Sequence, residues 1–267
     1  MRFAFVLLLV LLPFKGAAEP VDDLLAALHA QDISAIMEEE GRSYGVNLDA
    51  DFLNGEGGEF FASQVAEAYA AKSMIANLRR SLVEQMDAAE IEASLAFFNS
   101  AEGAQAIDLE LSARRAFMDE AIEAAAGDTY ESLKSSKAGK YDAVARFIEV
   151  NKLVDLNVRG ALSSNYNFYH GMVSGGAYQM TEEQIRSTVY EDADDIRTDT
   201  ETWVFSYLLM AYGPLSEADL DAYIAYSESD AGQALNTALF AGYDKIFDSI
   251  SFQLGQAVAR ALKSAEL

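Results

Sequence analysis

Six consecutive residues, Asn165-Tyr166-Asn167-Phe168-Tyr169-His170, form the densest run in this chain of side chains able both to stack and to hydrogen-bond. Flat bodies with polar tips suit peptides and sugars. With Trp203, the sole tryptophan, the run nominates Tyr166, Tyr169, His170 and Trp203 as a ligand groove, set against the plainer reading of aromatics at helical spacing as core. Catalytic chemistry has less to draw on. The two histidines, His29 and His170, are separated by most of the chain, so no local two-histidine metal site can be written. Surface or capping roles suit them better. No Gly-x-Ser-x-Gly elbow is present to make a triad with His170. Cysteine is absent, which excludes disulfides, thiolate metal and redox centres, and a lipid-attachment cysteine. No catalytic residue, metal ligand or cofactor is assigned.

Carboxylates are the plentiful reactive groups, 43 against 19 lysines and arginines, for a net charge of −24. Such a surface repels nucleic acid and anionic lipid, and most simply serves solubility. An EF-hand counted from Asn47 would need glycine sixth and glutamate twelfth, where Phe52 and Gly58 stand. Calcium is not expected there. Glu191, Asp192, Asp194, Asp195 and Asp199 crowd one stretch, and like charges four apart on a helix cost a few tenths of a kcal/mol each. A solvated face accounts for them, and for Glu38-Glu39-Glu40. If the protein is an enzyme, a carboxylate pair in a cleft hydrolysing envelope material is the form this composition allows.

The elements that would position these groups read as helices throughout. Residues 1–18 have a positive start, an apolar run from Phe3 to Leu12 and small residues before Glu19, the pattern of a secretory signal peptide. The run is too short to span a membrane. A periplasmic protein without a stable membrane span is expected. Residues 19–59 read as short helices, with Asp32 as a cap, followed by a glycine-punctuated loop from Gly41 to Glu59. A long amphipathic helix is expected from Gly58 to Gln85, a short one opened by Asp87 and Glu90, and a third running to about Ala126. Together residues 60–134 make one three-helix unit. Residues 138–174 read as a single connecting helix, and residues 180–267 as a second unit that opens on Thr181 and Gln184. The last helix has a mixed rather than basic polar face, which argues against a membrane-surface role.

Met86 to Ala106 is written again 129 residues later, at Leu215 to Leu235. Ser100/Ser229 and Gly103/Gly232 are identities, and Leu95/Ile224 and Phe97/Tyr226 keep the apolar register. Glycine inside a first helical turn costs roughly 1 kcal/mol against alanine, so its recurrence requires a structural reason, expected to be close approach at a tight corner. Ser100, Gly103, Ser229 and Gly232 are therefore read as the corners of a repeat. The expected fold is all-α, two related three-helix units joined by a long connecting helix.

Those corners, an aromatic followed by Ser-x-x-Gly, resemble the bacterial exported family catalogued as domain of unknown function 2059. Gln233 also fits the family's motif, whereas Ala101 and Asp230 stand where it has proline. The resemblance implies an exported helical protein with no assigned chemistry. A non-enzymatic binding or interaction protein of the cell envelope is the leading expectation, its partner an envelope protein, peptide or glycan.

Overall fold

A computed structural model describes residues 18–265. The expected signal peptide, apart from its last residue, lies outside them. The chain runs α1 (Ala18–Ala27), α2 (Ala30–Leu53), α3 (Gly58–Ala68), α4 (Ala71–Gln85), α5 (Ala88–Phe98), α6 (Ala101–Ala116) and α7 (Glu120–Ser136). It continues through α8 (Tyr141–Val150), α9 (Leu153–Gly175), α10 (Glu182–Glu191), α11 (Ala193–Tyr212), α12 (Glu217–Glu228) and α13 (Asp230–Ala265). No strand occurs among the described residues.

Several starts follow from local side chains. Asp87 accepts from the amides of Ala89 and Glu90 at 2.8 and 2.9 Å while Glu90 accepts from the Asp87 amide, closing a capping box. Thr181 and Gln184 do the same for α10. At the α5–α6 corner Ser100 accepts from Gly103 N at 3.1 Å, and at the α12–α13 corner Ser229 accepts from Gly232 N at 3.1 Å. The two serines share extended backbone angles, −74°/165° and −72°/159°. A β-carbon on Gly103 would lie 2.2 Å from the Phe97 carbonyl oxygen, and one on Gly232 2.1 Å from that of Tyr226. Only glycine fits either corner.

Other breaks differ from the sequence reading, and long-range contacts account for several of them. The expected helix Gly58–Gln85 is two, α3 and α4, because Glu38 on α2 reaches across to accept from the first amide of α4 at 3.3 Å. The expected loop Gly41–Glu59 is mostly α2. Its glycines admit neighbours rather than end the helix: a β-carbon on Gly41 would sit 2.2 Å from the Tyr69 ring. Asp32 lies in the first turn of α2, with His29 in the cap position and in the left-handed region. The helix expected to reach Ala126 is interrupted where Asp119 caps α7. The single connecting helix over 138–174 is α8 and α9, separated at Lys152, whose φ is 52°. The opening helix of the second stretch likewise divides into α10 and α11 at Asp192.

Packing centres on α13, which lies along α9 and against α4. The α9 and α13 helices run parallel, tied by Arg159 to Asp244 at 2.8 Å and Ser163 to Asp248 at 2.6 Å. Farther along they touch backbone to backbone, since a β-carbon on Gly171 would meet the Phe252 carbonyl at 2.2 Å. Across the centre, α4 packs on α13 and α11 on α6, while α5 packs on α13 and α12 on α6. Phe97 and Tyr226 stack face to face there, with centroids 4.2 Å apart and planes 2° apart.

Candidate functional site

Between these helices lies a cavity of about 560 Å³, within the usual range for small-molecule sites. Its walls are mostly apolar. Both Gly232 and Phe247 line it. Those positions are roughly 20 Å apart on a helix rising 1.5 Å per residue, whereas a sphere of this volume is only about 10 Å across by the same geometry. The space is elongated. Phe240, Tyr243 and Phe247 present one stripe of α13 to it, and Trp203 and Tyr207 face it one turn apart on α11. These five large rings remain only half-buried, since the cavity leaves them without close-packed neighbours on that side.

A small polar group interrupts the apolar wall. Glu110, on α6, accepts from the Tyr212 hydroxyl at 2.6 Å and is also hydrogen-bonded to Tyr223. The Tyr207 hydroxyl donates to the Glu110 carbonyl oxygen at 2.8 Å. No cation among the described residues is ion-paired with this carboxyl. Burial pushes its pKa up, and the two tyrosine hydroxyls only partly oppose that. One turn on, burial works against the Arg114 guanidinium, but its two-pronged grip on Glu40, at 2.8 and 2.6 Å, prevails and raises its pKa. The guanidinium also sits 5.5 Å from the Trp203 ring centroid. Tyr243 differs from its neighbours: its hydroxyl has no hydrogen-bond partner among the described residues, and burial, against the pull of Arg114, pushes its pKa up to about 12. Ser227, 3 % exposed and lining the cavity, is likewise without a hydroxyl partner among them.

The four residues nominated from sequence do not converge. Trp203 lines the cavity; Tyr166, Tyr169 and His170 do not. Tyr166 stacks on His170 and donates to Glu182 at the head of α10, with His170 3.8 Å from the same carboxylate. Tyr169 leans half-buried on the core. Helical phase explains the separation, because the α9 residues that reach the cavity, Leu153, Leu156, Asn157, Gly160, Ala161 and Ser164, recur every three to four positions, and that face continues at Asn167 and Phe168 rather than at Tyr166, Tyr169 or His170. The triple glutamate is not simply a solvated face either, since Glu38 caps α4 and Glu40 holds Arg114. His29 bonds Asp108 at 3.0 Å on the surface. Glu191, Asp192, Asp194, Asp195 and Asp199 are exposed.

Glu110, Arg114, Tyr207 and Tyr243 were not singled out by sequence reasoning, yet the signal was present. Carried past the corners, the 129-residue offset pairs Leu78 with Tyr207, Phe98 with Ser227, Ile107 with Asn236, Glu110 with Leu239 and Arg114 with Tyr243. All ten line the one cavity. Among the described residues no group of three or more histidine, aspartate or glutamate side chains is arranged to hold a metal ion, and no helix is long and apolar enough to cross a membrane. Comparison with known protein families, with curated proteins and with solved structures finds no match to this chain.

Proposed function

We propose that this is a non-enzymatic binding protein of the cell envelope, built from a duplicated helical unit, which holds an apolar molecule in the cavity between the two copies. The cavity carries the reading: about 560 Å³, partly open to solvent, keeps a continuous set of aromatic rings in contact with water, an apolar surface that a ligand would cover. Duplication is supported by the matched corners and by the exchange of contacts across them. Phe97 faces Tyr223 with centroids 5.4 Å apart while Tyr226 donates to Ser94 at 2.8 Å, and Ser94/Tyr223 and Phe97/Tyr226 are each 129 residues apart. Reciprocal contacts of this kind are what a two-fold axis produces. The proposed unit is α4–α5–α6 with its copy α11–α12–α13, and α7–α10 the segment that joins them, with α8–α9 in place of the single connecting helix. Membership of the exported family resembled at the corners belongs to the same proposal, as does periplasmic location. Cleavage before Glu19 would take only Ala18 from the start of α1.

A hydrolase reading has one observation in favour, an acid with a raised pKa facing a cavity. It lacks a free second acid, because Asp244, the other acid lining the cavity, is paired with Arg159, and Glu40 with Arg114. The binding reading is tested by extracting the protein, purified without detergent from a periplasmic fraction, into organic solvent for mass spectrometry. An apolar compound near one equivalent, on a chain whose N-terminus is Glu19, is expected. A chain without any such compound, whose Trp203 emission ignores a panel of apolar molecules, would refute it.

A further inference from the structure

The wall of the cavity says what kind of molecule it would hold. Charge is matched inside it: the Arg114 guanidinium is committed in two-pronged fashion to Glu40, Asp244 to Arg159, and Glu110 has tyrosine hydroxyls for company instead of a cation. A carboxylate or phosphate entering this space would find no uncommitted positive group, and would leave water for a wall that already carries bound carboxyls. An ammonium would meet Glu110 already engaged by tyrosine hydroxyls and Asp244 already paired with Arg159. What the wall does leave over is hydrogen-bonding capacity without charge. Tyr243, beside Arg114, lines the cavity with its hydroxyl unspent, as does Trp203 with its indole N–H, and Ser227 does so toward the opposite end of the α13 stripe. Ser34 Oγ is the one fully buried side-chain polar atom without a partner among the described residues, so the Tyr243 hydroxyl and Trp203 N–H are reachable from the cavity, where each can bond to water or exchange that water for a ligand oxygen. The shape restricts the rest of the molecule, since the space is longer than a globular ligand of its volume would need.

We infer that the ligand is an uncharged, chain-like apolar molecule carrying a hydroxyl or carbonyl oxygen, with that oxygen received by Tyr243 at the Trp203–Arg114 end and the chain laid along Phe240 and Leu239 toward Ser227. This rests on the binding function proposed above and specifies the ligand's chemistry. Tyr243 is the residue that distinguishes an oxygen-bearing chain from a plain hydrocarbon.

The test is a fluorescence titration, for which the chain is already equipped, Trp203 being its sole tryptophan and part of the cavity wall. The purified protein, stripped of bound lipid by solvent wash and refolded, is titrated at pH 7 below micellar concentrations with 1-dodecanol, 2-dodecanone, dodecane, dodecanoate and dodecylammonium. Dodecanol and dodecanone are expected to change Trp203 emission saturably, about tenfold tighter than dodecane and at least tenfold tighter than either ion. Tyr243→Phe, which keeps the ring, is expected to remove the advantage over dodecane while dodecane binding stays unchanged. Dodecanoate or dodecylammonium binding as tightly as dodecanone overturns the ligand class and leaves the binding function standing. So does an unaltered preference in Tyr243→Phe. Saturable response to none of the five overturns both.

Discussion

The α5–α6 and α12–α13 corners lie 129 residues apart and are nearly superimposable in their particulars: serine angles, the amide that each hydroxyl receives, and the carbonyl that forbids a β-carbon on each glycine. A turn or two further into the same helices the likeness stops. Where α6 has Glu110 and Arg114, α13 has Leu239 and Tyr243, and where α5 ends on Phe98, α12 has Ser227. On the proposed duplication, positions that set backbone geometry have stayed alike and positions that face the cavity have diverged. A scaffold under steric constraint tolerates little change, while a site acquires its chemistry through differences. At these paired positions the α6 side carries the acid and the guanidinium, while α13 carries a leucine and a phenol.

That contrast can be broken most severely at the glycines. Gly103→Ala and Gly232→Ala each drive a methyl into a backbone carbonyl, and each is expected to destabilise by about 3 kcal/mol, the two values agreeing within roughly 0.5 kcal/mol in urea unfolding. One tolerated and one ruinous substitution would mean that the corners are not equivalent.

Glu110→Gln sharpens the other half of the comparison. A carboxyl whose folded pKa lies above its ordinary value near 4.5 binds a proton on folding, so its contribution is unpenalised below that value and is lost as pH rises toward the folded pKa. The glutamine variant should match the parent at pH 4 and then gain on it by about 1.4 kcal/mol per pH unit, levelling off once the folded pKa is passed. Denaturation midpoints taken from pH 4 to 8 would check this. A constant difference would show that Glu110 keeps its ordinary ionisation. No such gain is expected at Leu239, its counterpart in α13.

At the point where the two halves meet, a double-mutant cycle of Phe97→Leu and Tyr226→Leu should return a coupling of about 1 kcal/mol. Additive losses would remove the stack as a contact between halves. The smallest effect belongs to the aromatic run outside the cavity. Tyr166→Phe and His170→Ala, at exposed contacts with Glu182, should each alter stability by less than about 0.5 kcal/mol and leave Trp203 emission as it was.

These contrasts also mark what could be read from the chain. Helical periodicity, the capping boxes at Asp87 and Thr181 and both serine corners are local signals, and the all-α architecture with its cap positions followed from them. The breaks that were missed depend in several cases on distant partners. Nothing near Ala70 announces that Glu38, on another helix, will cap α4, and Gly41 reads as a loop residue until the Tyr69 ring is seen against it. Trp203, nominated because its type is rare, lines the cavity, whereas Tyr166, Tyr169 and His170 lie off it, because a dense run of aromatics says nothing about which face of α9 meets that space. Glu110 and Tyr243 look ordinary one at a time, and only the comparison of equivalent positions sets an acid against a leucine and a guanidinium against a phenol.

The central claim, that the space between the halves is a binding site rather than a packing defect, is tested most directly by filling it. Ala161, on the α9 wall of the cavity, replaced by phenylalanine should leave thermal stability equal or higher while weakening the Trp203 response to 2-dodecanone at least tenfold. A folded Ala161→Phe protein that binds dodecanone as tightly as the parent would contradict it.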